Sequence, residues 1–385
     1  MEKNIENKTC RHCQNIFDIT DLDLEFYDKI SPVFNSIKYP IPSPTLCPEC
    51  RQIRRMSFRN ERSIYKRKCD KTWKDTISIY NPDSEYSVYE IGEWYSDKWS
   101  PLGYWMDFDF SKSFFEQFNS LMKIVPRMSL SVLENENSPF VNQTWHVKNS
   151  YLAFNCWFWE NIFYSGISYN SNNIIDCYSV NWLENCFFCV DCQKSFLLFN
   201  SQNCSNCSDS KFLLNCVNCK NCFGCINLYN KEFYIFNKQY SKEQYFEKIK
   251  TLNKDTIEKS LQELFLKNPY KNLYLTNCEN VIWDYIVDSK NCNHCFDVFS
   301  SSDSKYLFNI DSSVNNSMDI NYGADWELMY DATSIAGYNL LFCHLVLGSN
   351  IFYSNLCINT SNLFWCVGLH NNESYCILNK QYTKE

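Results

Sequence analysis

The sequence predicts a mainly β chain, a parallel β-helix solenoid of right-handed winding, joined to a small N-terminal module and a few capping or inserted helices. Three observations predict it. Cysteines at 204, 207, 216, 219, 222 and 225 recur every third residue within runs, with Asn or small residues in most gaps and apolar triplets such as Phe212-Leu213-Leu214 between them. Short-period self-similarity marks a repeat architecture, in which each repeat buries its apolar side chains only by stacking on the next. The frame Ser208–Ile226 (SDSKFLLNCVNCKNCFGCI) returns 94 residues on as Ser302–Ile320 (SDSKYLFNIDSSVNNSMDI). Finally, EFYIFNKQYSKE at 232–243 is echoed by SYCILNKQYTKE at 374–385, so each half closes on the same phrase. A helix is expected after the first phrase, whereas the second ends the sequence, which reads as a truncated C-terminus or a missing last cap.

Aligned residue by residue, the two long copies replace Cys216 by Ile310, Cys219 by Ser313, Cys222 by Asn316 and Cys225 by Asp319. A metal cage does not exchange thiolate for Ile, but a packed wall does, because free Cys behaves as a small hydrophobe. The central cysteines therefore read as packing, with a metal site in Cys216–Cys225 as the minority reading. Phe196 and Phe212 head similar triplets and suggest a coil of 16 residues made of three short strands. Right-handed winding is chosen as the commoner form for irregular coils. A pentapeptide or left-handed hexapeptide solenoid is the runner-up and requires clean periods of five or six.

Composition narrows the function classes. At 385 residues, 45% hydrophobic and 17% aromatic, the chain can bury a large core. Only eight glycines occur, with no GxGxxG or GxxxxGK[ST], so nucleotide-binding enzyme classes lose their support. The N-terminal MEKNIENKTC lacks an apolar core, so no signal peptide is expected, and no apolar run reaches membrane length. Twenty-three cysteines, an odd number, are then expected as reduced thiols in the cytoplasm. The net charge of −8 is uneven: Arg51–Lys74 holds ten basic residues and two acids, leaving the remainder at −16. Such asymmetry points to an anionic partner for the N-terminal part.

In chain order, residues 1–68 form the first module. Cys10-Arg-His-Cys13 and Cys47-Pro-Glu-Cys50 are two CxxC knuckles with 33 residues between them. Four thiolates suit one tetrahedral structural zinc, with no open position for catalysis. His12 is expected at the surface. Thr20-Asp-Leu-Asp23 opens a short helix as a capping box. Pro40, Pro42 and Pro44 keep the approach to the second knuckle extended, and Pro48 suits the first turn of a basic helix on which Ile53, Met56 and Phe58 are available to pack.

The run CRHC, Phe17, LEFYDK and LCPECR resembles small bacterial treble-clef or zinc-ribbon domains, over about residues 8 to 58. That resemblance implies zinc at Cys10, Cys13, Cys47 and Cys50. Over nearly the whole chain, FRNERSIYKRKCD, SIYNPDSEYSVYE, YSDKWSPLGYWMDFDFSKSFFEQF and the repeat ending FNKQYSKE resemble a family of uncharacterised bacterial proteins that join such a module to a cysteine-rich repeat region. The resemblance implies an architecture and no activity.

Residues 69–136 read as a small aromatic module. TISIYNPDSEYSVYE predicts a β-hairpin turning at Asn81-Pro-Asp-Ser. Cys69 with Thr72, and Glu90 with Glu93, keep CxxC spacing but make a poor metal set. Trp94, Tyr95, Trp99, Tyr104 and Trp105 are expected mostly buried. Ser113-Phe-Phe-Glu116 opens a helix to about Ile124, expected to cap the first rung. Residues 137–240 are the first half of the solenoid, and 241–270 a helical insertion opened by Ser241-Lys-Glu-Gln244. Residues 271–385 are the second half, where His294 in CNHC and His344 beside Cys343 read as satisfied or surface groups.

The expected function is a zinc-bearing, non-catalytic repeat scaffold or binding protein. Its basic segment, Arg51, Arg54, Arg55, Arg59, Arg62, Lys66, Arg67 and Lys68, would contact nucleic acid or another anionic partner. About five phosphate contacts would give a log–log salt slope of about −4 to −5. The competing reading pairs this segment with the acidic solenoid of its own chain. Two alternatives stand beside the scaffold: a carbohydrate-active β-helix enzyme drawing on Asp303, Asp311, Asp319, Asp325 and Asp331, and a thiol-rich metal or redox protein.

Overall fold

The structure, a computed structural model, describes residues 2–57, 59–310, 313–321, 333–338 and 344–384. It divides into two compact units, a terminal unit (1–60, 85–127 and 272–385) and a central unit (61–84 and 128–271). Each carries parallel solenoid coils, and six α-helices accompany them among the described residues.

The central unit shows how the coil is built. From Gln143 to Phe236 every third residue has positive φ, near +50° to +60°. The residue after such a position is commonly buried, as at Val147, Ile162, Ile174, Cys186 and Cys216. Each triplet is one side of the coil, and parallel pairing relates residues twelve apart, as in Asn181 with Gln193 and Leu183 with Ser195. A coil is therefore four triplets. The expected 16-residue, three-strand coil is corrected: Phe196 pairs with Ser208, while Phe212 stacks on Phe199.

The left-handed corner conformation costs about 1–2 kcal/mol for most L-residues and least for Asn and Asp, whose side chains bond locally. Asn accordingly recurs at the corners, and its amides form ladders one coil apart: Asn161 donates to Asn173 at 2.8 Å and Asn173 to Asn185 at 3.0 Å. Inward slots carry a second requirement. Ser195 Oγ donates to Gln193 O (2.8 Å) and accepts from Cys207 N one coil on (3.1 Å). Cys186 repeats this relay, its Sγ donating to Glu184 O at 3.3 Å and accepting from Leu198 N at 3.4 Å. Cysteine suits the slot because it fills apolar volume and still has an S–H for the carbonyl.

The terminal unit follows the same pattern with several slips, stepping by eleven from Leu275 to Ile286 and from Thr333 to His344, and by thirteen from Ser361 to Ser374. Lys290 pairs with Ser302 at a step of twelve, but the bridges Ser302 to Asn315 and Lys305 to Met318 step by thirteen. The residue-by-residue alignment of the two copies is thus right at Ile310 and one residue out afterwards. Val314, Ser317 and Ile320, all buried, take the slots of Cys219, Cys222 and Cys225. Asp319 is displaced from the interior to a corner, with φ of 63°. Asp311 lies outside the described residues, as do Asp325, Asp331, Cys343 and Phe58.

The recurring NKQY phrase ends each run of coils. Glu232–Ile235 pairs antiparallel with Lys238–Gln239, and Ser374–Ile377 with Lys380–Gln381, so the last parallel edge is closed by a hairpin. The Asn at the turn grips the coil beneath. Asn237 accepts from Ile226 N and donates to Ile226 O, both at 2.9 Å. Asn379 does the same to Val367, at 2.8 Å each way, and is fully buried. Asn379→Ala strands both backbone groups, and the expected loss is about 2 kcal/mol or more in urea denaturation. A loss below about 0.5 kcal/mol would mean the hairpin closes the run without its Asn.

Four helices belong to the terminal unit: α1 (Asp21–Ile30), α2 (Pro48–Met56), α3 (Ile91–Trp94) and α4 (Phe114–Ile124). Two belong to the central unit, α5 (Lys242–Lys250) and α6 (Lys254–Lys267). The capping boxes at Thr20 and Ser241 form in full. Helix α4 does not cover a first rung: Leu121 and Val125 pack on Val367 and Leu378, in the last coils of the second half. Among the clustered aromatics, Trp94 is fully buried, donates to Pro126 O at 3.0 Å and stacks on His370 at 4.0 Å. Tyr95 and Trp105 remain more than a third exposed. The turn at Asn81-Pro-Asp-Ser forms, with Asp83 N donating to Asn81 Oδ1 at 2.9 Å. Its expected hairpin is replaced, however: Asp75–Ser78 pairs with Tyr65–Lys68.

Candidate metal centre

The two CxxC knuckles come together in the terminal unit. The first is the turn of an antiparallel hairpin, Asn4–Thr9 with Ile16–Thr20, where Cys10 N donates to Asn15 O (2.8 Å) and Gln14 N to Cys10 O (3.0 Å). The second is the start of α2, with Cys47 as N-cap, Pro48 in the first turn and Arg51 N donating to Cys47 O (3.0 Å). Arg11 N ties the knuckles by donating to Thr45 O at 2.9 Å.

The sulfur atoms of Cys10, Cys13, Cys47 and Cys50 all lie within 4.8 Å of one another, and Cys13 and Cys47 are 3.7 Å apart. Four sulfurs about 2.3 Å from a tetrahedral ion would stand about 3.8 Å apart, so the donor set fits such an ion with little movement. Among the described residues this is the one group of three or more ligating side chains so placed. Cys10, Cys47 and Cys50 are buried against Phe17 and Ile19, and Cys13 is exposed. Burial raises the Cys10 thiol, but backbone N–H groups of Cys13, Cys47 and His12 outweigh it and bring it down to about 6. Cys47 and Cys50 stay raised by burial. His12 is exposed and sets Nδ1 3.4 Å from Cys50 Sγ, the placing of an outer-shell partner.

The hairpin at Tyr65–Ser78 repeats the first knuckle's backbone. Cys69 N donates to Lys74 O at 2.9 Å and Trp73 N to Cys69 O at 2.8 Å, with Trp73 at positive φ where Gln14 stands in the first. The backbone of a knuckle is present there, with Thr72 where a second thiol would be.

The basic segment is divided between the two units. Arg51, Arg54, Arg55 and Arg59 lie in the terminal unit, whereas Arg62, Lys66, Arg67 and Lys68 lie in the central one. Arg51 and Arg55 are 3% and 2% exposed, which removes them as phosphate contacts. Arg51 Nε donates to Asp319 Oδ2 (2.7 Å), its Nη1 to Leu46 O (2.8 Å), and its guanidinium lies over the Tyr306 ring. Arg55 reaches Asp319 Oδ1 (3.2 Å) and Asn321 Oδ1 (3.4 Å). Burial alone would lower both groups; the Asp319 charge reverses this at Arg51, which is raised, and not at Arg55, which stays lowered. Arg67 is buried too, donating to Asp70 at 2.9 Å and Ser84 at 3.1 Å. Lys68 pairs with Asp75, and Arg62 lies over Tyr178. Arg54 and Lys66 are exposed, and Arg59 is half-buried.

The sequence reading missed Lys305, and it listed Asp319 as an enzymatic carboxylate rather than as the partner of Arg51 and Arg55. Lys305 is 7% exposed and reaches Glu2 (2.6 Å), Asp23 (3.1 Å) and Thr20 Oγ1 (3.1 Å). Together with Arg51 and Arg55 it fastens α1 and α2 to the coils. Of the proposed enzymatic carboxylates, Asp319 is held in this network and Asp303 accepts from Asn291 in a corner ladder. His294 stacks on Tyr306, and His344 Nδ1 lies 3.3 Å from Asn355 Nδ2.

No family model matches the chain, and no curated protein matches it. Among solved structures, a "putative acetyltransferase" from Desulfovibrio desulfuricans G20 is similar at 10% identity, with a TM-score of 0.12. The match covers 57% of this chain and 59% of that one, less than two thirds of its length. A likeness at that score carries no argument here. The structure itself gives a β-solenoid and a four-cysteine cluster that could hold a metal ion.

Proposed function

We propose that this protein is a zinc-bearing, non-catalytic β-solenoid scaffold, whose N-terminal module is of treble-clef type and holds one structural zinc at Cys10, Cys13, Cys47 and Cys50. The observation that supports it is the four-sulfur cluster itself, built from a hairpin knuckle and a helix start. All-thiolate sites are closed, so the ion would hold shape rather than activate water. No helix among the described residues is long and apolar enough to cross a membrane, and a reducing compartment such as the cytoplasm suits the free thiols.

Metal content per chain, on protein purified without added metal or chelator, tests the proposal. One zinc, lost in the Cys10→Ser/Cys13→Ser double variant, is the expected result. No bound metal would overturn it. Two or more ions, or iron surviving that substitution, would move the metal to the Cys186–Cys225 wall and bring the redox reading forward.

A further inference from the structure

One face of the coil receives helices in both units. In the central unit, Phe223 and Ile235 are buried under Tyr245 of α5, with Phe212 and Phe236 beside them. A Cβ on Gly224 would stand 3.3 Å from Leu261 of α6 and 2.6 Å from the Phe236 ring, so the corner is glycine (φ +63°) where the helix comes closest. In the terminal unit, with the one-residue slip at Ser302–Asn315 counted, Tyr306 stands where Phe212 does, and Met318-Asp319 where Phe223-Gly224 does. Tyr306 and Met318 are packed by Phe26, Tyr27 and Ile30 of α1, and Asp319 is held by Arg51 and Arg55 of α2.

Followed back through the central unit, the same face continues without its helices. Twelve-residue steps from Phe223 lead through Lys211, Phe199, Phe187 and Ile175 to Phe163 and Tyr151. The rings stand in two groups with Ile175 and Asp176 between them: Phe223 meets Phe212 at 5.3 Å, Phe212 meets Phe199 at 5.6 Å and Phe199 meets Phe188 at 5.5 Å, and further back Tyr164 meets Tyr151 at 5.7 Å. Here the corner rings of Tyr164 and Phe188 are open, 56% and 49% exposed, and Tyr151 beside the next corner back is 38% exposed. Aromatic rings left half in water along a continuous face are the mark of an interaction surface.

We infer that the coils from Tyr151 to Phe199 are a docking face for an amphipathic helix of a partner protein, continuous with the face that α5 and α6 already cover. This deepens the scaffold reading by giving the scaffold a class of client. Five coils at about 4.8 Å spacing span about 19 Å, the length of a helix of about 13 residues. The helix would carry aromatic and aliphatic anchors at i, i+4 spacing, as Tyr245 and Ile249 do in α5.

The probe is a synthetic peptide of residues 241–267 added to the full chain, followed by fluorescence anisotropy, with a photo-crosslinker at the position of Tyr245. Saturable one-to-one binding is expected, weakened about tenfold or more by Tyr164→Ser/Phe188→Ser, with cross-links falling within 151–199. Both substituted side chains are exposed, so the fold is expected to persist by circular dichroism; the cross-link map serves as the independent readout if it does not. No binding at millimolar peptide, binding unchanged by the double variant, or cross-links elsewhere would each overturn the inference. Self-association of the chain that the double variant abolishes would also overturn it, assigning the face to a second copy. Zinc content is unaffected by these substitutions, so failure here is separable from failure of the metal proposal.

Discussion

Asp319→Ala is expected to cost on the order of 3–5 kcal/mol, the largest loss from any single substitution outside the metal centre. The carboxylate is fully buried between two guanidinium groups that are themselves 2–3% exposed. Removing it takes the Asp319 charge away from two buried guanidinium groups. The pair itself is not assumed to be a large net stabiliser, because desolvating three charges offsets most of their attraction. The asymmetry is the testable point. Asp319→Leu combined with Arg51→Met and Arg55→Leu removes every charge and is expected to recover most of the loss. Denaturation of the single and triple variants, followed by tryptophan fluorescence, checks this. A single variant within about 1 kcal/mol of the parent would show that the network is hydrated and that α2 is held by its apolar contacts alone.

Stripping metal from the four-thiol centre is expected to have the next largest effect, local rather than global. Structural zinc contributes on the order of 10 kcal/mol to the fold of a small module. Helix α2 carries two of the four sulfurs and both arginines, so loss of the ion frees the helix start that positions Arg51 next to Cys50. Hydrogen exchange on chelated protein, or on Cys47→Ser, is expected to show protection lost over residues 16–20 and 48–56. Protection over residues 193–202, deep in the coils of the central unit, is expected to persist. Unchanged protection in α2 would mean that the Asp319 network holds the helix without the ion.

The parts legible in the sequence are those carried by spacing. Two CxxC pairs announce their chemistry because four thiols at such intervals have few other uses, and the structure brings all four together. The repeats announce a solenoid because an inward slot every third residue constrains side-chain size. The coil length was harder, since Phe196 and Phe212 look alike in sequence yet sit on different sides of the coil. The slip after Ile310 was invisible because Ser313, Asn316 and Asp319 are all acceptable solenoid residues, and only pairing shows which of them points inward. The role of the arginines was least legible. Their charge suited an external partner or the acidic solenoid of the same chain equally, and Arg51 and Arg55 take the second course, with an acid 268 residues beyond Arg51. A charge run gives composition without direction, and direction is settled by packing at long range.

The four-triplet coil has a consequence for how this chain can change size. Each inward slot takes an apolar side chain, or a Ser or Cys that bonds the carbonyl two residues back, and each corner asks only for a residue tolerant of positive φ. Neither demand refers to a position along the axis. Whole coils are therefore interchangeable parts, and length is quantised in steps of about twelve. An excision of residues 205–216 would bring Val217 to the place of Ser205, its partner one coil back, and leave the terminating hairpin seated on its own rung at Ile226. An excision of ten would rotate every later side of the coil out of phase. The thirteen-residue coil at Ser302–Asn315 is one such phase error retained, and it is the step that turned Asp319 outward to meet the arginines.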